Sequence, residues 1–318
     1  MGGAPKGYDV AAYARDVAAF RPFLKKMSPE TIFLGPGGVA EGGSMPTSMP
    51  MPAAMGAMLS TQAILEATGP AFDALSYHYY GGVSSRCAAM SADAVTRESA
   101  ALSDEWLSRT NVVEEFYAGL RDKYLPGKPL WITETADAAC GGSRWASTYV
   151  DTFRYLNQLG TLARHGVQVV MHNTLDASDY GLLDERDFTP RPKYWGALLW
   201  RKLMGTTVLQ PGASPSPDLH LYAHCLRGVP GGVALLAINA SKSAVSVAMP
   251  VASAKYALSA PELESRDVEL NGNKLELGAN DVLPPMAGVS AAAGSLAFAP
   301  ETISFVAVPA AGNEACKR

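Results

Sequence analysis

No stretch of the 318 residues comes near the roughly 18 to 20 uninterrupted apolar residues of a bilayer-spanning helix, so the sequence offers no transmembrane segment. Charge is sparse as well. Charged residues make up 18% and the formal charge is -4, with no basic run, which leaves no cationic face for nucleic-acid phosphates. The five histidines form no HExxH pattern. His220 and His224 lie in Leu219-His220-Leu221-Tyr222-Ala223-His224-Cys225, whose alternation puts both on one face of a strand, so they read as exposed strand histidines and not as a metal site. Cys87, Cys140, Cys225 and Cys316 are too far apart for a compact zinc motif; two disulfides or four buried thiols are both compatible, with three pairings available. Nothing calls for a metal or a cofactor. Met1 to Gly7 lacks the apolar segment of a secretory signal, which fits an intracellular protein or one whose signal lies upstream.

What is present is apolar sequence, 48% of the chain, enough for a large core. Residues 8 to 27 have the spacing of an amphipathic helix. Short apolar runs at Thr31-Ile32-Phe33-Leu34, Phe72 to Tyr80, Leu130 to Thr135 and Val167 to Leu175 predict strands, with helical sequence at about 92 to 124, 144 to 165 and 193 to 204. A methionine-rich stretch, Met45 to Met58, reads as a surface loop before a helix. Strands alternating with helices predict βαβ units and a parallel sheet. Beyond Gly205 alternation and turn signals take over, with strands expected near 219–224, 233–238, 245–251, 268–270, 274–277 and 303–308 and a hairpin turn at Asn271-Gly272-Asn273. The expected organisation is an α/β region over 1–205 and an antiparallel β-sandwich over 206–318, with the boundary among Pro211, Gly212, Pro215 and Pro217.

Parallel α/β folds carry their chemistry at the C-terminal strand ends, where loops converge. Glu134 closes the apolar run Leu130-Trp131-Ile132; it is a catalytic carboxylate or, equally, a salt-bridged core glutamate. His78 and Tyr79 end the preceding strand and would hydrogen-bond sugar hydroxyls or simply pack. The glycines of Cys140-Gly141-Gly142 would let backbone N–H groups approach an anion. Tyr180, in Asp179-Tyr180-Gly181-Leu182-Leu183-Asp184, offers a phenol after the fourth strand.

These blocks, together with Asp151-Thr152-Phe153-Arg154-Tyr155-Leu156-Asn157-Gln158-Leu159-Gly160, Tyr194-Trp195, Lys202-Leu203-Met204-Gly205-Thr206, Leu270-Asn271-Gly272 and Ala315-Cys316, resemble glycoside hydrolase family 79, the heparanase-like β-glucuronidases. The likeness runs in order along nearly the whole chain. It implies the C-terminal half of a (β/α)8 barrel, strands 5 to 8, followed by the sandwich, and retaining hydrolysis of β-linked glucuronides by two glutamates. Glu134 matches the nucleophile. Gly141 and Gly142 match the backbone donors that receive the uronate carboxylate, Tyr180 the tyrosine that assists them, and Asn173 a position where the family often carries Arg-Gln. The acid/base glutamate, expected in an Asn-Glu motif after the fourth barrel strand, has no counterpart; Asn313-Glu314 is in the wrong region.

The resemblance further implies a Cys225–Cys316 disulfide. Cys87 and Cys140 lie in neighbouring loops, where a bridge and two free thiols are equally compatible. Disulfides fit an extracellular or endomembrane, including lysosomal, location of the full-length protein. Asn239-Ala240-Ser241 is a glycosylation acceptor pattern. Expected partners are a glucuronic-acid-containing polysaccharide or proteoglycan glycan, with Arg86, Arg144, Arg186 and Arg191 as cations near the rim, and a copy or complementary barrel half pairing with the bare strand edges. Another two-glutamate glycosidase such as a β-xylosidase, or a non-catalytic glycan- or protein-binding fragment, are the competing readings.

Overall fold

The computed structural model describes residues 5–43, 59–89 and 92–317, so the methionine-rich stretch lies outside it. Two compact units emerge, one comprising Met1–Thr96, Arg109–Cys140 and Gly166–Asn173, the other Arg97–Ser108, Gly141–His165 and Thr174–Arg318.

The first unit is built on a four-stranded parallel sheet of β1 (Leu34–Gly38), β2 (Ala74–Tyr80), β3 (Leu130–Ala136) and β4 (Val169–His172), which lie side by side in chain order. Helix α1 (Val10–Met27) is capped by Asp9, whose carboxylate accepts the Ala12 N–H at 2.8 Å. It is tied to the sheet by Asp73, which pairs with Arg21 at 3.3 Å and Lys25 at 2.8 Å and accepts the Phe33 N–H. Because Asp73 takes that N–H and Phe33 packs between Phe20 and Phe72, the first strand starts at Leu34 and not at Thr31 as expected. Its register runs through Gly35, where a Cβ would lie 2.1 Å from the Phe72 ring. Helix α2 (Thr61–Thr68) is held at its start by Ser60 and by Glu41, which accepts the Thr61 N–H at 3.0 Å. The helix expected from 92 begins only at Asp104 (α3, Asp104–Tyr124), after two 3-10 turns. Tyr117 of α3 stacks on Tyr77 at 4.4 Å, so one face of the sheet is covered by helix.

In the second unit, α4 (Val150–Arg164) and α5 (Pro192–Leu203) pack on an antiparallel sheet. Its strands are β5 (Met204–Leu209), β6 (Leu219–Leu226), β7 (Val233–Asn239), β9 (Ser253–Ser259), β10 (Glu269–Leu270), β11 (Asn273–Lys274), β12 (Val289–Ala291) and β14 (Thr302–Val308). The order is β11-β10-β9-β14-β7-β6-β5, with β12 on β9. A separate pair joins β8 (Val245–Met249) to β13 (Gly294–Phe298). Tyr222, Leu236 and Phe305 face the helices and join Phe153, Leu156 and Trp195 in one core, while Leu221, Ala237 and Val306 meet Met249, Leu296 and Phe298 in another. Burial on both faces explains why β6, β7 and β14 read as nearly continuous apolar runs.

Several expectations change here. The compact units do not divide at residue 205, because α4 and α5 pack on the antiparallel sheet: Gly160 receives the Tyr222 ring, and Tyr222 donates to Asn157 Oδ1 at 2.7 Å. Just before the prolines expected to mark the boundary, Met204–Leu209 forms β5 and pairs with β6. His224 is 3% exposed, with Nδ1 2.7 Å from the Gly205 carbonyl and its ring on Trp200, since that strand face meets helix and not water. Asn239 is no acceptor for glycan in the folded chain: it is buried, donating to the carbonyls of Ser243, Phe298 and Ala299. The Asn271-Gly272 turn is as expected, joining β10 to β11 with φ of 52° and 80°.

Candidate active site

Glu134 lies near the end of β3, where the ladder slips on both sides at once. Against β2, Ile132 pairs with Tyr77 and Glu134 with His78, and against β4, Ile132 pairs with Val170 and Thr135 with His172. β3 therefore carries one extra residue, a β-bulge, a device that re-aims side chains beside functional sites. Without it Glu134 would stand opposite Tyr79, which is 3% exposed, and would turn into the packed face. With it, the carboxylate shares the face of His78.

The resulting group is compact. Oε1 of Glu134 accepts the Tyr80 hydroxyl, and Oε2 lies 3.6 Å from His78 Nδ1. The Tyr80 oxygen in turn accepts a hydrogen bond from Asn173 Nδ2 at 2.8 Å, and Asn173 is itself fixed by its N–H on the Thr135 carbonyl at 2.8 Å. The Glu134 side chain remains 40% exposed, so the carboxylate is oriented from behind and reachable from in front. A Cβ at Gly37, in β1, would lie 3.8 Å from His78 Nε2.

The loops beyond β2 and β3 form a rigid frame. Gly81 N–H donates to the Asp137 carbonyl, Ala139 N–H to Gly82, and Ser84 N–H to Ala139, while Ser84 Oγ donates to the Cys140 carbonyl at 2.8 Å. Cys87 and Cys140 are disulfide-bonded, as are Cys225 and Cys316, which closes the alternative of free thiols for both pairs.

Of the residues singled out in the sequence, His78, Tyr79, Glu134 and Asn173 belong to the first unit and Gly141, Gly142 and Tyr180 to the second. His78, Asn173 and Glu134 come together; the phenol on Glu134 is that of Tyr80 and not of Tyr79. Strand parity held the signal, since His78 and Tyr80 are two apart. In the second unit, Gly141 and Gly142 have φ of 84° and 78°, a backbone that glycine adopts freely. The Gly141 carbonyl accepts the Asp179 N–H at 3.0 Å, linking the glycines to the Tyr180 loop. Arg191 is no rim cation: it is buried, donating to the carbonyls of Ser178 and Asp179 and to Asp184.

No family model matches the chain. Over 251 residues it is 32% identical to heparanase from Gallus gallus, covering 74% of this chain and 46% of that protein. Over 112 residues it is 46% identical to heparanase-like protein 1 from Arabidopsis thaliana, covering 35% of this chain and 20% of that protein. The chain thus spans less than half the length of these relatives. Among solved structures, the GH51 arabinofuranosidase from Xanthomonas axonopodis pv. citri superposes with a TM-score of 0.61 at 16% identity, over 95% of this chain and 63% of that one. At that identity the likeness concerns the fold alone, that of TIM-barrel glycoside hydrolases.

Proposed function

Since the chain belongs to the heparanase-like enzymes of glycoside hydrolase family 79, matching their C-terminal portion, we propose that Glu134 is the nucleophile of a retaining hydrolysis of β-D-glucuronyl linkages. The supporting observation is the carboxylate itself, turned by the bulge onto the His78 face and held by Tyr80. Attack by Oε1 or Oε2 on the anomeric carbon breaks the glycosidic C–O bond, releases the aglycone and forms a glycosyl ester, which water then hydrolyses to the free sugar and the Glu134 carboxylate. Tyr80 and Asn173 orient the carboxylate and His78 flanks it; the roles of Gly141, Gly142 and Tyr180 towards a uronate carboxylate rest on the family resemblance alone.

A retaining mechanism needs a second carboxyl about 5 to 5.5 Å away to protonate the leaving oxygen. Among the described residues no Asn-Glu pair closes a strand, which supports the reading that Glu134 lacks its acid/base partner there and that the chain on its own is inactive on glycans. The parallel sheet reads as half of a (β/α)8 barrel, and the edges of β1 and β4, which have no strand partner among the described residues, would take a complementary half. The substrate is a glucuronic-acid-containing glycan, and the two disulfides fit an extracellular or lysosomal setting. No described helix is long and apolar enough to cross a membrane.

A glucuronyl fluoride tests the two halves of this reading separately, because fluoride leaves without a proton donor. Incubation with 2-deoxy-2-fluoro-β-D-glucuronyl fluoride should add one sugar to the peptide bearing Glu134, detected by mass spectrometry and absent in Glu134→Gln. Failure to label removes the nucleophile assignment. Hydrolysis of a glucuronide glycan by the chain alone, abolished by Glu134→Ala, refutes the missing acid/base.

A further inference from the structure

The loop Asp184 to Arg191 and the segment 266–283, both in the second unit, enclose a cleft of about 860 Å³, within the range of ligand clefts, roughly 300–1,000 Å³. None of the Glu134 group lines it. Phe188 lines it with 58% of its surface exposed and a φ of 60°, a backbone that disfavours bulky side chains. An aromatic ring held out to water by a strained backbone has no packing role to explain it. Tyr194 supplies a second ring.

The polar lining narrows the ligand. Carboxylates outnumber cations five to three, which disfavours uronate, sulfate or phosphate. The cations are already engaged: Arg266 lies 3.7 Å from Asp184, and Lys274 lies 3.3 Å from Asp267 and 3.8 Å from Glu276. Asp187 and Asp281 have no ion pair among the described residues. One donor is left over, for Arg191 is 6% exposed and its Nε has no acceptor although both terminal nitrogens do.

An open ring, unpaired carboxylates and a spare buried donor match a polyol with one apolar face. We infer that this cleft binds a neutral pyranose chain, its C–H face on Phe188 and its hydroxyls donating to Asp187 and Asp281. The inference does not rest on the role of Glu134. A basic peptide fits less well, because three of the five carboxylates are neutralised by the pairs above.

Calorimetric titration of the full chain with xylotetraose and with β-1,4-galactotetraose tests this. Saturable binding of at least one is expected, weakened about tenfold or more by Phe188→Ala, the loss of ~1.4 kcal/mol, lowered by Asp187→Asn, and unchanged by Glu134→Gln. Phe188 is on the surface, so an unchanged melting curve will separate lost binding from lost folding. The inference is overturned if neither tetrasaccharide binds, if Phe188→Ala binds as well as the parent, or if oligo-lysine or a heparin oligosaccharide displaces the sugar.

Discussion

The hydroxyl of Tyr80 donates to Glu134 and accepts from Asn173, so one oxygen holds two site residues in place. Tyr80→Phe removes both bonds while keeping the ring. Hydrogen bonds to charged groups contribute about 1.5–3 kcal/mol, so labelling of Glu134 by the glucuronyl fluoride should slow by roughly 10- to 100-fold; an unchanged rate would dismiss Tyr80 as a positioning residue. Asp151 presents a different kind of dependence. Burial pushes its carboxyl up, but Arg154 and Lys193, both bonded to it at 2.6 Å, outweigh burial and hold it below the usual range. A lowered folded-state pKa gives stability that is present above the unfolded value, about 3.9, and lost progressively as pH falls below that value and through the lower folded-state one. Thermal melts should therefore weaken below about pH 4. Asp151→Asn, which strands two buried cations, should cost roughly 3–5 kcal/mol at neutral pH and flatten that acid limb. At this scale Glu134 and His78 were legible because each closes an apolar run, and Asn173 only through the family resemblance, whereas the Asp151–Lys193 pair joins residues 42 apart and only packing brings it together.

Among the elements, α4 owes its fit to a glycine. Alanine at position 160 would gain about 1 kcal/mol of helix propensity, but its Cβ would sit 2.3 Å from the Tyr222 ring. The clash wins, because Tyr222 is 4% exposed and tethered to Asn157. Gly160→Ala should destabilise by about 1–3 kcal/mol in a denaturant titration. Periodicity found the helices and the strongest strands, since β6, β7 and β14 are apolar on both faces. It missed β5, β9, β12 and β13: β5 runs into a segment read as the domain boundary, and half-exposed β9 and β13 carry serines, alanines or a lysine that blur alternation. The bulge in β3 left no mark in composition at all.

For the molecule as a whole, the Cys225–Cys316 bridge closes a separation of 91 residues in the second unit. Replacing both cysteines by serine should lower stability by roughly 2–5 kcal/mol, read from the melting temperature under oxidising conditions. The first unit leaves the outer edges of β1 and β4 without a strand partner among the described residues and exposes Phe20, Phe23, Met27 and Ile32 together on one flank. Light scattering should detect association that Phe23→Asp with Met27→Asp reduces; a monodisperse monomer in the parent would count against a missing complementary half. The α/β and antiparallel regions could be read from the change in periodicity near Gly205, but the grouping of α4 and α5 with the second sheet could not, because long-range packing alone decides it.

The slip in β3 makes the direction of its glutamate a matter of counting and not of chemistry. Inserting one residue after Thr133 would leave every functional side chain in the gene and still carry Glu134 on towards the Tyr79 side, whereas exchanging Thr133 for another residue would leave the aim intact. Gain or loss of this centre during descent thus has a route through single-residue insertions and deletions, events that comparisons of residue identity alone would overlook.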